Sequence, residues 1–287
     1  MNFRDSCLPP GWYPRNPDEI SVFLSGFAET GGSVSAAAAP HAGWFYSGKI
    51  AARAAAALNR KADTVVVIGG HLPKGYPPLF AMEDAVNTPL GGITIDAELR
   101  EIMYKEIKGR ADQYPDNTVE VLLPMVRFFM PKARLLWVRL PADMASFDSG
   151  KALADAAKNI GRNIAVLAST DLTHYGPNYG YTPKGCGQRA LKWVKEVNDR
   201  NFIEAVESGD PAAALERAES DLSSCSAGAV LGAMGYASAI NAGPARLLEY
   251  ATSADAASAA NIANAANTPT IPDSFVGYAA FQWGVEN

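Results

Sequence analysis

The sequence predicts an α/β protein built on a mostly parallel or mixed sheet. Short apolar runs, typical of buried strands, alternate along the chain with longer stretches of helical periodicity. One run, Thr64–Ile68, is β-branched throughout, as expected of a strand covered on both faces. Neither a repeat nor a linker is visible, so residues 1–287 are expected to form one domain.

The predicted strands are Ser33–Ala39, Thr64–Ile68, Arg134–Leu140, Asn163–Ala168, Ala245–Tyr250 and Phe275–Trp283. The predicted helices are Pro17–Glu29, Ser47–Arg60, one opening at Asp96, Val119–Met130, Asp148–Ile160, Gln188–Ser208, Pro211–Ala218 and Ser224–Ile240. Ser47 suits an N-cap position. The segment Thr252–Thr270, rich in Ala, Asn, Ser and Thr, is compatible with either a loop or a polar helix.

Charge and composition exclude several classes of protein. The net charge of −5 argues against nucleic-acid binding and against a membrane-surface patch. The amino terminus lacks the apolar core of a signal peptide, and no stretch approaches the ~20 apolar residues of a membrane span. We therefore expect a cytoplasmic protein. The three cysteines, Cys7, Cys186 and Cys225, are widely spaced without a CxxC pair, which argues against a disulfide framework or a structural zinc site.

All three histidines, His41, His71 and His174, come just after predicted strands. Ligand crevices of open α/β sheets form outside the carboxyl ends of the strands, where residues distant in sequence converge. Three convergent imidazoles would make a metal site or a proton-transfer site, and they suit iron, copper, zinc and nickel alike. Each histidine taken alone is equally compatible with an ordinary position in a loop or at the edge of the core.

Two further residues are candidates beside the histidines. Asp171 lies three positions before His174 and could fix an imidazole tautomer, whereas a neutral His174 would suit a general base. Cys225 lies at the start of a predicted small-residue helix, where a thiolate is favoured. The competing interpretations are a turn-capping Asp171 and a Cys225 packed as a small hydrophobe. Glu120 is compatible with either a site carboxylate or a solvated helix cap.

Several segments together resemble the Memo-like family, also called AmmeMemoRadiSam system protein B. Residues 39–48 (APHAGWFYSG) resemble its PHAGY-x-Y-x-G signature, and residues 169–176 (STDLTHYG) resemble its S-[ST]-D-x-[ST]-H-[YW]-G signature. Similar matches, in the family's order, are 11–14 (GWYP), 68–71 (IGGH), 119–124 (VEVLLP) and the cysteine at 225.

The resemblance implies the fold of class III extradiol dioxygenases, a mixed central sheet flanked by helices. In those enzymes two histidines and a carboxylate hold non-haem iron, and another histidine is the acid/base. Carried over to this chain, His41, His71 and Cys225 would be metal ligands, and His174 with Asp171 would be catalytic. Pocket walls would come from Trp12, Tyr46, Glu120 and Tyr175. Iron(II) is the first expectation for the cofactor, with copper or zinc as alternatives.

The chain also departs from the family pattern. Asn117 and Leu122 stand where the family usually has histidines. Gly69-Gly70 replaces Pro-Ser before the second histidine, and Ser226 replaces the glycine that normally follows the cysteine. These changes raise the prospect of an altered substrate or a lost activity.

Three functions follow as hypotheses. The first is a metal-binding Memo-like protein with oxidation activity in a strand-end pocket. The second is an extradiol-type dioxygenase acting on an aromatic diol, which would need a carboxylate ligand such as Glu120 in place of Cys225. The third is a non-catalytic scaffold that binds peptides or phosphotyrosine-like ligands in the same cleft, with Lys49 and Arg53 as the nearby cations. The family name also implies a radical-SAM partner protein, beside a small-molecule or peptide ligand.

Overall fold

The structure, a computed structural model, describes residues 1–28, 32–256 and 271–284. Its strands are β1 (Phe3–Arg4), β2 (Ala36–Ala39), β3 (Thr64–Leu72), β4 (Leu79–Phe80), β5 (Ala85–Val86), β6 (Ile93–Thr94), β7 (Arg110–Ala111), β8 (Arg134–Pro141), β9 (Ile164–Ser169), β10 (His174–Tyr175), β11 (Arg246–Thr252) and β12 (Phe275–Trp283). Its helices are α1 (Pro17–Ser25), α2 (Trp44–Ala57), α3 (Ala97–Glu106), α4 (Asn117–Glu120), α5 (Leu123–Phe129), α6 (Ala145–Asn159), α7 (Gln188–Trp193), α8 (Asp199–Glu207), α9 (Pro211–Ser220) and α10 (Ala227–Ala239). A π-helical turn, Val194–Asn198, joins α7 to α8.

A mixed sheet runs through the described part of the chain. Its strand order is β10-β12-β2-β9-β3-β8-β4-β7, with β11 also paired to β12. Strands β2, β9, β3 and β8 are parallel, whereas β12 pairs antiparallel with β2. Within the parallel part, Ala39 is level with Ser169, and Ile68 is level with Ala168. The carboxyl ends of β2, β9 and β3 therefore lie side by side.

Both faces of the central strands are buried, as the apolar runs predict. Val66 and Ile68 of β3 pack into the cluster formed with α3, α6, α8, α9 and α10. Val65 and Val67 face the opposite cluster, formed with α1, α2 and α5. Because neither face meets solvent, the strand carries apolar side chains at successive positions rather than at alternate ones.

The predicted α/β architecture is confirmed, with local differences. Helix α2 begins at Trp44, before the expected Ser47, and its N-cap is Gly43. The expected helix Val119–Met130 divides into α4 and α5 at Val121 and Leu122, just before Pro124, which cannot donate an interior helix hydrogen bond. The short strands β1, β4–β7 and β10 carry too few residues for a periodic signal. Most of Thr252–Thr270 lies outside the described residues.

Helices α6 and α10 approach each other through glycines. A Cβ added at Gly150 would collide with the carbonyl oxygen of Gly232, and one added at Gly235 would collide with that of Phe147. Both collisions are with backbone, which cannot rotate away. Helix α10 is buried along almost its whole length, so its small residues set the thickness of this layer.

We expect Gly235→Ala to lower the free energy of unfolding by about 1–3 kcal/mol, because overpacking outweighs the gain in helix propensity. Chemical denaturation measures this difference. The control is Ser238→Ala on the exposed end of the same helix, which should cost almost nothing. Equal stability of Gly235→Ala and the wild-type chain would contradict this close packing.

Candidate metal centre

The level strand ends bring residues from three segments together. His41 lies two positions after β2, and Ser169 ends β9. His71 lies near the end of β3, where the pairing with β8 shifts register, and its φ of 57° is left-handed. A left-handed non-glycine residue is uncommon and often marks a functional position.

His41, His71 and Cys225 form a compact set of donor atoms. The Cys225 Sγ lies 3.3 Å from His41 Nε2, and the ligand atoms of all three residues lie within 4.8 Å of one another. The two imidazole rings are nearly perpendicular, with centroids 4.9 Å apart. Two imidazoles and one thiolate at this separation suit a single metal ion of the iron, copper or zinc type, so the residues fit the group that the resemblance implies.

Hydrogen bonds at the far nitrogens orient both imidazoles. His41 Nδ1 lies 2.8 Å from Ser169 Oγ, and His71 Nδ1 lies 3.1 Å from Asp116 Oδ2. A hydrogen on each Nδ1 satisfies these contacts, which makes each Nε2 the nitrogen available to a metal ion. Such partners are the usual means of fixing the tautomer of a metal-binding histidine.

Asp116 is itself held by a buried arginine. The Arg139 guanidinium lies 3.0 Å from Asp116 Oδ2 and 3.3 Å from Asp112 Oδ1, and its Nε donates to the Gly70 carbonyl. Arg139 is only 4% exposed. The sequence analysis missed Asp116, Arg139 and Ser169. The one available signal was that Asp116 suits the N-cap of α4, where it accepts from Thr118 N.

Electrostatics favour the thiolate. Burial acts to raise the pKa of Cys225, but the charges and hydrogen bonds of His41 and His71 outweigh it and hold the pKa well below its usual range. Burial acts to lower the pKa of His71, but Asp116 and Cys225 raise it to about 10. The pKa of His41 is likewise raised by Asp171 and Cys225 against the effect of burial. The thiolate is the metal-binding form of cysteine.

Cys225 does not lie inside a helix as expected. Helix α10 begins at Ala227, and the Cys225 amide donates to the Asp171 carbonyl, 3.1 Å away. Cys225 thus lies just before the N-cap Ser226, and the neighbouring imidazoles stabilise its thiolate.

His174 and Asp171 lie beside the donor set. Asp171 Oδ1 accepts from the His41 amide at 2.7 Å, and Oδ2 lies 3.9 Å from His41 Nε2. Asp171 thus contacts His41 rather than fixing the tautomer of His174. His174 Nδ1 donates to the Leu172 carbonyl at 3.1 Å, which leaves Nε2 free to accept a proton.

A buried polar network supports the His174 segment. Asn198 ends the π-helical turn and Asp199 begins α8, and both contact Thr173, whose amide donates to Asp199 Oδ1 at 3.0 Å. Asn198 Nδ2 donates to Thr173 Oγ1, and Tyr250 OH donates to Asp199 Oδ2. Burial raises the pKa of Asp199 to about 6. Because π-helical turns occur often near functional sites, this one is consistent with a role in positioning His174.

A cavity of about 800 Å³ opens beside His41, His71, Asp171 and His174. The expected wall residues Trp12 and Tyr46 line it, and so does Tyr179, whose ring meets His174 edge-on at 5.0 Å. A volume of this order would hold a small organic ligand.

Two residues expected in the wall lie elsewhere. The Glu120 carboxylate accepts from Ser6, Cys7, Leu8 and Tyr13 in a neighbouring cavity. Glu120 was expected in the wall of the histidine cavity, but it lies outside that wall because the amino-terminal segment folds over it. Tyr175 is fully buried, stacked on Phe275 with its OH donating to the Gly185 carbonyl. It alternates with His174 on β10, so its side chain points into the core.

Two departures from the family pattern complement each other. A Cβ added at Gly70 would collide with the Ser226 side chain. The resemblance implies a serine before the second histidine and a glycine after the cysteine, whereas this chain has Gly70 and Ser226. The close approach leaves room for a side chain on only one side of this contact. At Gly69, a Cβ would collide with Thr118 Oγ1, whose hydroxyl accepts from the Gly70 amide.

Fold and site together define an α/β protein with a His-His-Cys donor set at the carboxyl edge of its parallel strands. Comparisons with known proteins identify the family. The Memo-like protein family matches residues 4–270. A MEMO1 family protein of Pyrococcus abyssi is 31% identical over 94% of this chain and 95% of its own length. One from Thermococcus kodakarensis is 30% identical over 87% of this chain and 92% of its own length.

The chain belongs to the Memo-like family. Its mixed sheet flanked by helices is consistent with the fold relation to class III extradiol dioxygenases. The crystal structure of an uncharacterized protein from Escherichia coli K12 covers 88% of this chain at 14% identity, with a TM-score of 0.46 and all of that protein matched. Among the described residues, every helix is too short or too polar to span a membrane.

The complementary pair at 70 and 226 gives a test by double substitution. We expect Gly70→Ser to lower the free energy of unfolding by about 1–3 kcal/mol, because the new side chain meets Ser226. Adding Ser226→Gly to the same chain should restore part of that loss, because it removes the two closest atoms and leaves the Cα at 2.9 Å. Thermal or chemical denaturation of both single variants and the double variant measures the coupling. Strictly additive effects would contradict direct contact between the two positions.

Proposed function

We propose that this Memo-like protein holds a redox-active metal ion with His41, His71 and Cys225, iron first and copper as the alternative, and oxidises a ligand in the adjacent cavity. The convergence of the three donor atoms within 4.8 Å carries the proposal. A soft thiolate beside two imidazoles favours iron and copper over oxygen-preferring cations. An ion of this kind would supply one-electron and oxygen chemistry next to the ligand.

The protein groups around the ion have separable roles. Ser169 and Asp116 orient the two imidazoles, and Arg139 fixes Asp116. The Asp171 carboxylate accepts a hydrogen bond from the His41 amide and so fixes the backbone at His41. These fixed contacts would reduce the reorganisation that metal binding requires, since the ligand side chains are already in place.

His174 suits the acid/base role. It lines the same cavity as His41, and its Nε2 is free because Nδ1 donates to a carbonyl. An imidazole with a free nitrogen can take a proton from a ligand hydroxyl. Trp12 and Tyr46 provide flat apolar walls for the ligand.

A ring-cleaving dioxygenase with Glu120 as the carboxylate ligand is disfavoured. The Glu120 carboxylate accepts hydrogen bonds from Ser6, Cys7, Leu8 and Tyr13 in the neighbouring cavity. Freeing the carboxylate would break these hydrogen bonds, including that of the buried Tyr13 hydroxyl, at a cost of about 1–3 kcal/mol for that buried group. A cysteine-containing donor set therefore has the stronger support.

The test is metal retention after anaerobic loading with Fe(II) or Cu(I) and removal of excess ion. We expect stoichiometric metal in the wild-type chain and a loss of affinity of about 100-fold or more in Cys225→Ala. Asp116→Asn should fall between them, since outer partners contribute about 10–100-fold. Cys7→Ala is the matched control, because Cys7 contacts Glu120 rather than the donor set.

Absence of stoichiometric metal in the wild-type chain would overturn the proposal. Undiminished affinity in Cys225→Ala would overturn the assigned ligand set. Circular dichroism of each variant distinguishes loss of a ligand from loss of the fold.

A further inference from the structure

The described wall of the cavity is aromatic and polar but contains no Lys or Arg side chain. Neutral polar groups come from Asn117, Asn178, Ser253 and Ser274. The aromatic residues of the wall are Trp12, Tyr46, Tyr179 and Tyr278.

The charges closest to the site are mostly negative. Asp171 and the Cys225 thiolate stand beside His41. Behind His71, the single cation Arg139 is shared between Asp116 and Asp112, so this group has an excess of negative charge. A divalent ion would be balanced by Cys225 and Asp171 alone. Beyond the ion, the carboxylates Asp116 and Asp112 outnumber their one cation Arg139, so the surroundings of a loaded site stay acidic.

The cations proposed from the sequence are engaged or outside the cavity wall. Arg53 pairs with Glu249 and lies over the Phe27 ring. Lys49 is exposed on α2 and is absent from the wall. The amino end of α2 also reaches the cavity, through Ala42 and Gly43. Its first amide, Trp44 N, already donates to the Trp12 carbonyl at 2.8 Å.

We propose that the ligand of this cavity is an aromatic molecule that is uncharged or positively charged, and that the cavity rejects carboxylates and phosphates. The inference deepens the proposed function, on which it rests for the position of the metal. An anion placed here would lose its hydration and meet imidazoles that already have acidic partners, His71 with Asp116 and His41 with Cys225 and Asp171, which is costly. A flat ring gains contact area with the aromatic wall, and a cation also gains attraction to the ring faces.

The negative charge of Asp171 also affects a tyrosine of the cavity wall. Burial and then the charge of Asp171 raise the pKa of the Tyr179 phenol. The environment thus opposes a second negative charge next to His174. A carboxylate or phosphate on a bound ring would meet the same opposition.

The experiment compares ring ligands that differ in charge. Catechol is the neutral probe, dopamine the cation, and 3,4-dihydroxybenzoate and O-phosphotyrosine the anions. Anaerobic titration calorimetry on metal-loaded and metal-free chains gives each dissociation constant. We expect catechol and dopamine to bind at least about tenfold more tightly than either anion in both forms.

A gain-of-function variant sharpens the test. Asn178→Lys adds a cation at an exposed position of the wall, so it should tighten binding of 3,4-dihydroxybenzoate about tenfold relative to binding of catechol by the same variant. Gln188→Lys is the control, because it makes the same change of charge at an exposed position outside the cavity.

Equal or tighter binding of either anion by the wild-type chain would overturn the inference, and so would failure of both catechol and dopamine to bind. Tight binding of O-phosphotyrosine would favour a phosphopeptide scaffold. Metal content measured on the same samples decides the proposed function separately. The order of affinities in the metal-free chain tests charge selection even where no metal is retained.

Discussion

The level ends of three parallel strands are the constraint on which the site depends. Because β2, β9 and β3 are paired in register, the residues just beyond Ala39, Ile68 and Ser169 reach one edge of the sheet. His41, Asp171 and His71 thereby meet although 30 to 130 residues separate them in sequence. A register slip would turn strand side chains to the opposite face and separate the donors. The apolar layers on both faces fix that register.

Buried ionic contacts then fix the orientation of a donor side chain that the strand ends bring close to the others. The Asp112–Arg139–Asp116 group lies directly behind His71, and its arginine is nearly inaccessible to solvent. Such groups are costly to bury, and removing one partner leaves an uncompensated charge. Here the buried group has a positioning role, because Asp116 contacts His71 Nδ1 and thereby orients the imidazole toward Cys225. The same excess of acidic groups makes the cavity a poor environment for anionic ligands.

The sequence predicted the architecture and the three histidines because both depend on local signals. Apolar runs mark strands, and a histidine after such a run is visible without coordinates. Arg139 and Asp116 could not be predicted, since their contact joins β8 to the start of α4 and neither position has a distinctive pattern. Cys225 became a candidate ligand chiefly through the family resemblance. Glu120 and Tyr175 were misplaced because local sequence does not show which neighbour folds over a side chain.

X-ray absorption spectroscopy tests most directly whether His41, His71 and Cys225 bind one metal ion together. The chain is loaded with Zn(II) as a redox-inactive substitute for iron or copper. We expect one sulfur neighbour at about 2.3 Å and nitrogen neighbours at about 2.0–2.1 Å. The sulfur contribution should vanish in Cys225→Ala and persist in Cys7→Ala. A wild-type spectrum with only nitrogen and oxygen neighbours would contradict a metal centre built from His41, His71 and Cys225.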